Sequence, residues 1–170
     1  KIISRYNQLV LTGIIREVER EEDDVYIMLK EYYVAEVNAA KKIGILLSTN
    51  HIPNIDVDKE INVFEKSNSI NLDKGQKEAI KTSVSAGISL ITGGPGTGKT
   101  TIIKGIVHML KKMGQSFVLC APTGKAAKRL EESTGERSST IHRLLGLIPI
   151  DDDVEAREIP WSDKVFEDVI

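Results

Sequence analysis

The 170-residue chain has little cysteine, little aromatic surface and no long apolar run. Its one cysteine, Cys120, excludes an internal disulfide framework and a cysteine-based metal cluster, which suits a reducing cytosol. Cys120 follows three apolar residues, so we expect it to be a buried strand residue and not a catalytic thiol. The apolar runs are far shorter than the roughly 20 residues that a membrane-spanning helix needs. We therefore expect a cytoplasmic protein without a membrane segment.

A strong excess of charge of one sign is also missing, because the formal net charge is -2. The average hides a local pattern: between Lys99 and Arg143 there are nine bases and three acids. Aromatic residues make up 5% of the chain, so few side chains can stack on bases. Any binding of nucleic acid should depend on phosphate contacts, be sensitive to salt and show no sequence specificity.

The first 70 residues predict a small α+β unit followed by a linker. Residues 9–29 are typical of a hairpin with an acidic tip, and apolar residues at helical spacing predict an amphipathic helix over 32–47. Residues 48–70, rich in Asn and Ser, indicate a connector, so we divide the chain into an accessory region at 1–70 and a second unit at 71–170. The chain starts without Met or a signal peptide, which suggests the interior of a longer protein.

The second unit alternates helices and strands. Helices are expected near 74–85, 99–113 and 124–133, and strands at 88–92 and 117–121. Such alternation predicts an α/β fold with right-handed crossovers and a parallel sheet covered on both faces. In the helix at 99–113, His108 lies off the apolar stripe and is expected at the surface.

A phosphate-binding loop follows the strand predicted at 88–92. The segment from Gly93 to Thr100 fits the pattern G-x-x-x-x-G-K-[ST], in which glycines let backbone N–H groups turn toward phosphate oxygens at a helix start. Lys99 should reach the β and γ phosphates of ATP, and the Thr100 hydroxyl should bind Mg²⁺. The alternative is a glycine-rich turn with an incidental lysine. The nucleotide contacts are expected from Gly93, Gly94, Pro95, Gly96, Thr97, Gly98, Lys99, Thr100 and Thr101.

Upstream of the loop, the segment from Leu72 to Ile80 resembles the Q motif of superfamily 1 helicases. The resemblance implies that the Gln76 amide recognises adenine, for which its paired donor and acceptor are suited. Asp73 and Gln76 also have the spacing of a helix capping box, so Gln76 could instead reach back to the helix start. Both alternatives remain open from the sequence.

Downstream, the stretch from Cys120 to Leu130 resembles motif Ia of RecD-like helicases, and Ser139 to Gly146 resembles the T-I-H-R-L-L stretch of the same family. The resemblance covers about residues 25–146 and implies that 71–170 is the first part of a RecA-like P-loop domain. In the family these two motifs line a track for single-stranded DNA. Carried over by position, the candidate DNA contacts are Thr123, Lys125, Thr140 and His142. Thr123 could equally be a plain helix N-cap, and His142 a packed or capping histidine.

The resemblance implies a parent protein that couples ATP hydrolysis to movement on single-stranded DNA with 5′-to-3′ polarity. It would act in DNA repair and recombination, alone or with RecBCD-like subunits. In the family an acidic Walker B pair follows a strand like the one expected at 165–170, so we expect this sequence to stop before that pair. By itself the chain should bind ATP weakly and not unwind DNA. The alternatives are another P-loop ATPase of the AAA type and a nucleotide-gated DNA-binding module without hydrolysis.

Overall fold

A computed structural model describes residues 2–19 and 25–147, which belong to two compact units that divide between Thr49 and Asn50. Each unit has its own helices and its own two-stranded sheet. None of the described helices is long and apolar enough to cross a membrane.

The first unit places a β-hairpin between two helices, α1 (Ile2–Leu11) and α2 (Lys30–Leu47). Strands β1 (Ile15–Glu19) and β2 (Val25–Leu29) pair antiparallel. The two strands of the expected hairpin and the helix expected over 32–47 are confirmed. Residues 9–11, expected to belong to the hairpin, instead end α1, and the acidic tip at 20–24 lies outside the described residues. Ile15 is the only buried side chain among the described residues of this unit, so little apolar surface stabilises it.

The second unit contains five helices and one parallel strand pair among its described residues. Strands β3 (Leu119–Ala121) and β4 (Ser138–Thr140) pair parallel, with Leu119 opposite Ser138 and Ala121 opposite Thr140, and α6 connects them. The α/β class with a parallel sheet is thus confirmed. The helices are α3 (Val57–Asn68), α4 (Lys74–Ser85), α5 (Lys99–Met113), α6 (Gly124–Thr134) and α7 (Ile141–Leu144).

The core of this unit lies where α3, α4 and α5 meet. Its buried side chains include Ile61 and Phe64 from α3, Ile80 from α4 and Met109 from α5. Ile80 and Met109 are 0% exposed and Ile61 is 1% exposed. Burying each such side chain stabilises the fold by about 1.5–3 kcal/mol, so this cluster fixes the positions of α4 and α5.

The connector expected over 48–70 is wrong for most of its length. Residues 57–68 form α3, and its N-cap is Asp56, whose carboxylate accepts the Lys59 N–H at 3.0 Å. The helix ends at Ser69, which adopts a left-handed conformation with φ of 53°. Only Ile61 and Phe64 of α3 are buried, so the sequence carries a weak apolar stripe. The helix belongs to the second compact unit, which begins at Asn50.

Two further expectations about strands need correction. The strand expected at 88–92 is not formed, because these residues make no ladder with another strand of the described chain. Cys120 does lie in β3, but it is exposed and not buried. Among the described residues β3 pairs with β4 alone, and Cys120 is exposed on this two-stranded sheet, unlike a strand residue in a larger parallel sheet with helices on both faces.

Candidate phosphate-binding site

The glycine-rich loop joins segment 88–92, which has no regular secondary structure, to the start of α5. Gly96 and Gly98 have φ of 79° and 80°, a left-handed backbone conformation that favours glycine. Gly98 is the N-cap of α5 and has no side chain to satisfy the first N–H groups of the helix. Those N–H groups, with the positive end of the helix dipole, can therefore bind an anion.

The Lys99 ammonium lies across the loop. Its Nζ donates to the carbonyl oxygens of Gly93 at 2.7 Å and Gly94 at 2.6 Å, and it is 3.5 Å from Thr97 Oγ1. These neutral acceptors hold the cation at the mouth of the loop, where a phosphate oxygen would be a stronger, charge-assisted partner. The lysine is thus placed to exchange carbonyl contacts for phosphate contacts.

Space inside the loop is uneven. A Cβ built at Gly94 or Gly96 would meet nothing within 4 Å, whereas a Cβ at Gly93 would lie 2.6 Å from Thr97 Oγ1. That hydroxyl donates to the Gly94 carbonyl at 3.0 Å and so closes the loop on itself. The open side at Gly94 and Gly96, with the bare start of α5, fits a phosphate group.

Gln76 makes two kinds of contact. Its Oε1 accepts the Asp73 N–H at 3.1 Å while the Asp73 carboxylate accepts the Gln76 N–H at 2.8 Å, so the capping box is formed. Its Nε2 also donates to the Thr97 carbonyl at 3.2 Å. The capping alternative is therefore confirmed, and the recognition of adenine stays a prediction.

A carboxylate on α3 holds the start of α4 in place. Glu65 accepts the Lys77 ammonium at 2.9 Å and the Leu72 N–H at 2.7 Å. The Lys77 hydrogen bond, followed by the Leu72 backbone N–H, lowers the pKa of Glu65. The Glu65 side chain is 12% exposed, so this pair is better shielded than an ordinary surface ion pair. Sequence patterns did not identify Glu65, because its partners lie in α4 and in the segment just before it, outside its own helix.

The magnesium ligand set is incomplete within the described residues. Thr100, in the first turn of α5, is exposed, and its hydroxyl suits Mg²⁺ as an oxygen ligand beside bound phosphates. No group of three or more histidine, cysteine or acidic side chains in the described ranges could hold a metal by itself.

The candidate DNA contacts gather at one edge of the β3–β4 sheet. Because the strands are parallel and Ala121 pairs with Thr140, the residues that follow both strands lie at the same carboxyl edge. Thr123 Oγ1 accepts the Ala126 N–H at 3.2 Å, and Thr140 Oγ1 accepts the Arg143 N–H at 3.2 Å. Both threonines are thus helix N-caps.

Lys125 and His142 follow these caps and are exposed. His142 is exposed in the four-residue helix α7, so it is not packed in a core, and its contact with DNA and its capping role both stay predictions. Among the described residues, no hydrogen bond or ion pair joins this edge to the phosphate loop. The candidate residues therefore form two groups, one around Lys99 and one at the sheet edge.

His108 is not the ordinary surface residue expected from its position off the apolar stripe. Its side chain is 23% exposed, its Nε2 lies 3.3 Å from Glu60 Oε2, and its ring packs 5.5 Å from that of Phe64. Lys112 approaches the same carboxylate at 3.7 Å. These contacts join α3 to α5, and the sequence could not show them because α3 was not predicted.

Comparison with known proteins matches the AAA domain family to residues 76–166, more than half of the chain. The chain is 55% identical over 60 residues to the ATP-dependent RecD2 DNA helicase of Deinococcus radiodurans, covering 35% of the chain and 8% of that protein. It is 42% identical over 84 residues to the RecBCD enzyme subunit RecD of Haemophilus influenzae, covering 44% and 13%. It is 35% identical over 100 residues to the ATP-dependent DNA helicase dda of Enterobacteria phage T4, covering 53% and 23%.

The chain spans less than a quarter of the length of each of these relatives. The similarity to RecD2 and RecD confirms the resemblance to RecD-like helicases that the motifs indicate.

Proposed function

We propose that this chain, which belongs to the AAA domain family, is a piece of an ATP-dependent DNA helicase that couples ATP hydrolysis to movement along single-stranded DNA. The observation that carries the proposal is the phosphate loop, with Lys99 Nζ within 2.7 Å of two loop carbonyls beside an uncapped helix start. A loop of this kind serves many ATPases. Similarity to the ATP-dependent DNA helicases RecD2 and dda favours a DNA helicase over other P-loop enzymes.

In the proposed site, loop N–H groups bind the phosphates of ATP, and Lys99 leaves its carbonyl partners for the β and γ phosphates. Thr100 contributes a hydroxyl to Mg²⁺, which would neutralise charge on the transferred phosphate. Pro95 and Thr101 are proposed as further nucleotide contacts of the same loop and helix start. We further propose that residues 71–170 are the first part of a RecA-like motor and that residues 1–70 are an accessory region.

The sheet edge is the proposed contact with single-stranded DNA. Thr123 and Thr140 each cap a helix start, where backbone N–H groups and hydroxyls can hold a phosphate without reading the base. Lys125 and His142 add exposed donors beside those caps. The proposed polarity is 5′-to-3′ and the proposed setting is DNA repair and recombination. RecBCD-like subunits are the proposed partners, because the similar protein of Haemophilus influenzae is a RecBCD enzyme subunit.

The test compares Lys99→Ala with Lys104→Ala, which removes the same charge from an exposed position on the same helix. On this chain, calorimetric titration with Mg²⁺-ATP should show about 10- to 100-fold weaker binding for Lys99→Ala, because a hydrogen bond to a charged group is worth about 1.5–3 kcal/mol. Lys104→Ala should bind like the wild type. Equal affinities for all three proteins would refute the site.

The activity is tested on a longer protein of the length of its relatives, with and without single-stranded DNA. ATP hydrolysis stimulated by DNA and abolished by Lys99→Ala would support a translocating helicase. Hydrolysis indifferent to DNA would favour a general P-loop ATPase, and binding without hydrolysis would favour the nucleotide-gated DNA-binding module.

A further inference from the structure

Gln76 is the only residue outside the loop whose side chain is hydrogen-bonded to a loop residue within the described ranges. Its Nε2 donates to the Thr97 carbonyl at 3.2 Å across 21 positions of sequence. Thr97 in turn reaches the Gly94 carbonyl through its hydroxyl at 3.0 Å. One amide on α4 is thus connected through one threonine to the middle of the phosphate loop.

The contact fixes a peptide plane that matters for phosphate binding. In a trans peptide the carbonyl of one residue and the N–H of the next point in opposite directions, and the described chain contains no cis bond. Holding the Thr97 carbonyl on Gln76 therefore directs the Gly98 N–H away from Gln76. Gly98 is the N-cap of α5, where N–H groups without a helical partner are available to an anion.

The loop is shaped around the amide. A Cβ built at Gly98 would collide with Gln76 Nε2, and Gly98 has φ of 80°, so both its space and its backbone require glycine. The other end of the amide is held as well, since Oε1 accepts the Asp73 N–H at 3.1 Å. With both ends held, the amide is pre-positioned and loses little freedom when it supports the loop.

From this geometry we propose that Gln76 is a positioning residue for the phosphate loop, acting independently of the base of the nucleotide. The inference rests on the proposed function of the loop as a phosphate site. The positioning role is compatible with a contact to adenine. After the bonds to Asp73 and Thr97, the Gln76 amide still has one N–H and one oxygen lone pair to offer.

The experiment separates the base from the phosphates. Mg²⁺-tripolyphosphate, Mg²⁺-GTP and Mg²⁺-ATP are titrated calorimetrically into the wild type and into Gln76→Met, which keeps the length of the side chain but cannot donate to Thr97. We expect all three ligands to bind about fivefold more weakly, the effect of losing one ordinary hydrogen bond. A variant that loses affinity for ATP alone would overturn the positioning role.

Two further variants exclude a general effect of the helix cap. Asp73→Ala removes the capping carboxylate but leaves Nε2 free to donate to Thr97, so it should lower the melting temperature and change tripolyphosphate affinity less than twofold. Gln115→Met, at an exposed glutamine after α5, is the matched control and should change neither. Equal losses of affinity in Asp73→Ala and Gln76→Met would assign the effect to the cap and overturn the proposal.

The same titrations distinguish failure of the inference from failure of the site. A wild type that does not bind tripolyphosphate, or whose binding is unchanged in Lys99→Ala, would refute the proposed function and this inference with it. Tripolyphosphate binding that depends on Lys99 but is unchanged in Gln76→Met would refute the inference alone.

Discussion

Gly105, in the middle of α5, gives the sharpest test of how the core positions the site. In an exposed helix interior, glycine to alanine stabilises by about 1 kcal/mol, because alanine loses less backbone entropy on folding. Here an added Cβ would collide with Ile80 Cδ1, would lie 3.1 Å from Ile80 Cγ1 and would touch Phe64 at 3.6 Å. Ile80 is 0% exposed and Phe64 is 3% exposed, so the neighbours have little room to move.

Overpacking a tight core costs about 1–3 kcal/mol. Set against the helix gain of about 1 kcal/mol, Gly105→Ala should lower the free energy of unfolding by about 1 kcal/mol, within a range of about 0–2 kcal/mol. The measurement is urea unfolding at 25 °C followed by circular dichroism. Gly44→Ala in α2 of the first unit is the control for the helix gain, because nothing lies within 4 Å of its Cβ.

A second-site change separates the collision from other effects. Ile80→Val removes Cδ1, and by itself should cost about 0.5–1.5 kcal/mol. The double variant should lose less unfolding free energy than the sum of the losses in the two single variants, by a coupling of about 1 kcal/mol. Stabilisation of Gly105→Ala by about 1 kcal/mol, or strict additivity in the double variant, would refute the packing argument.

Two further predictions follow from the same elements. Gly98→Ala should lower the free energy of unfolding by about 1–2 kcal/mol, because a left-handed backbone is strained for alanine, whereas Gly94→Ala, with no positive φ, should be near neutral in the same urea titration. Lys77 and the Leu72 N–H lower the pKa of Glu65, so its stabilising effect should be present above the ordinary pKa of 4.5 and be lost as pH falls through the lower folded pKa. The wild type should have a higher urea midpoint than Glu65→Gln at pH 7, and this difference should disappear in acid. A difference that grows in acid would contradict this prediction.

The sequence predicted the parts of the fold that local signals define. Helix α4 begins after Asp73 because Asp73 and Gln76 form a capping box three positions apart in the sequence. Helix α5 lies between Gly98 and Gly114, which both have a left-handed backbone conformation. Both helices were predicted with the bounds that the structure has. The hairpin of the first unit was predicted for the same reason, because two strand-like segments are separated in the sequence by a short acidic segment.

The parts that depend on distant partners were not predictable in the same way. Helix α3 buries two side chains, Ile61 and Phe64, and becomes recognisable only once α5 is known to cover them. The segment 88–92 has the composition of a strand, but a strand also needs a neighbour with which to pair. The bond from Gln76 to Thr97 joins two motifs that the sequence identified separately, and only the packing of α4 on α5 shows that they meet.

That packing makes Gly105→Ala a test of the site as well as of the core. Gln76 and Ile80 are four residues apart on α4 and so lie on the same face of the helix. A Cβ at Gly105 that displaces Ile80 pushes on the face that carries the amide, whose 3.2 Å bond to Thr97 is already long for an N–H···O hydrogen bond. Gly105→Ala should therefore weaken tripolyphosphate binding, by no more than Gln76→Met does, and Ile80→Val should restore part of the loss. Unchanged affinity in a destabilised Gly105→Ala would show that the amide follows the loop and not the helix core.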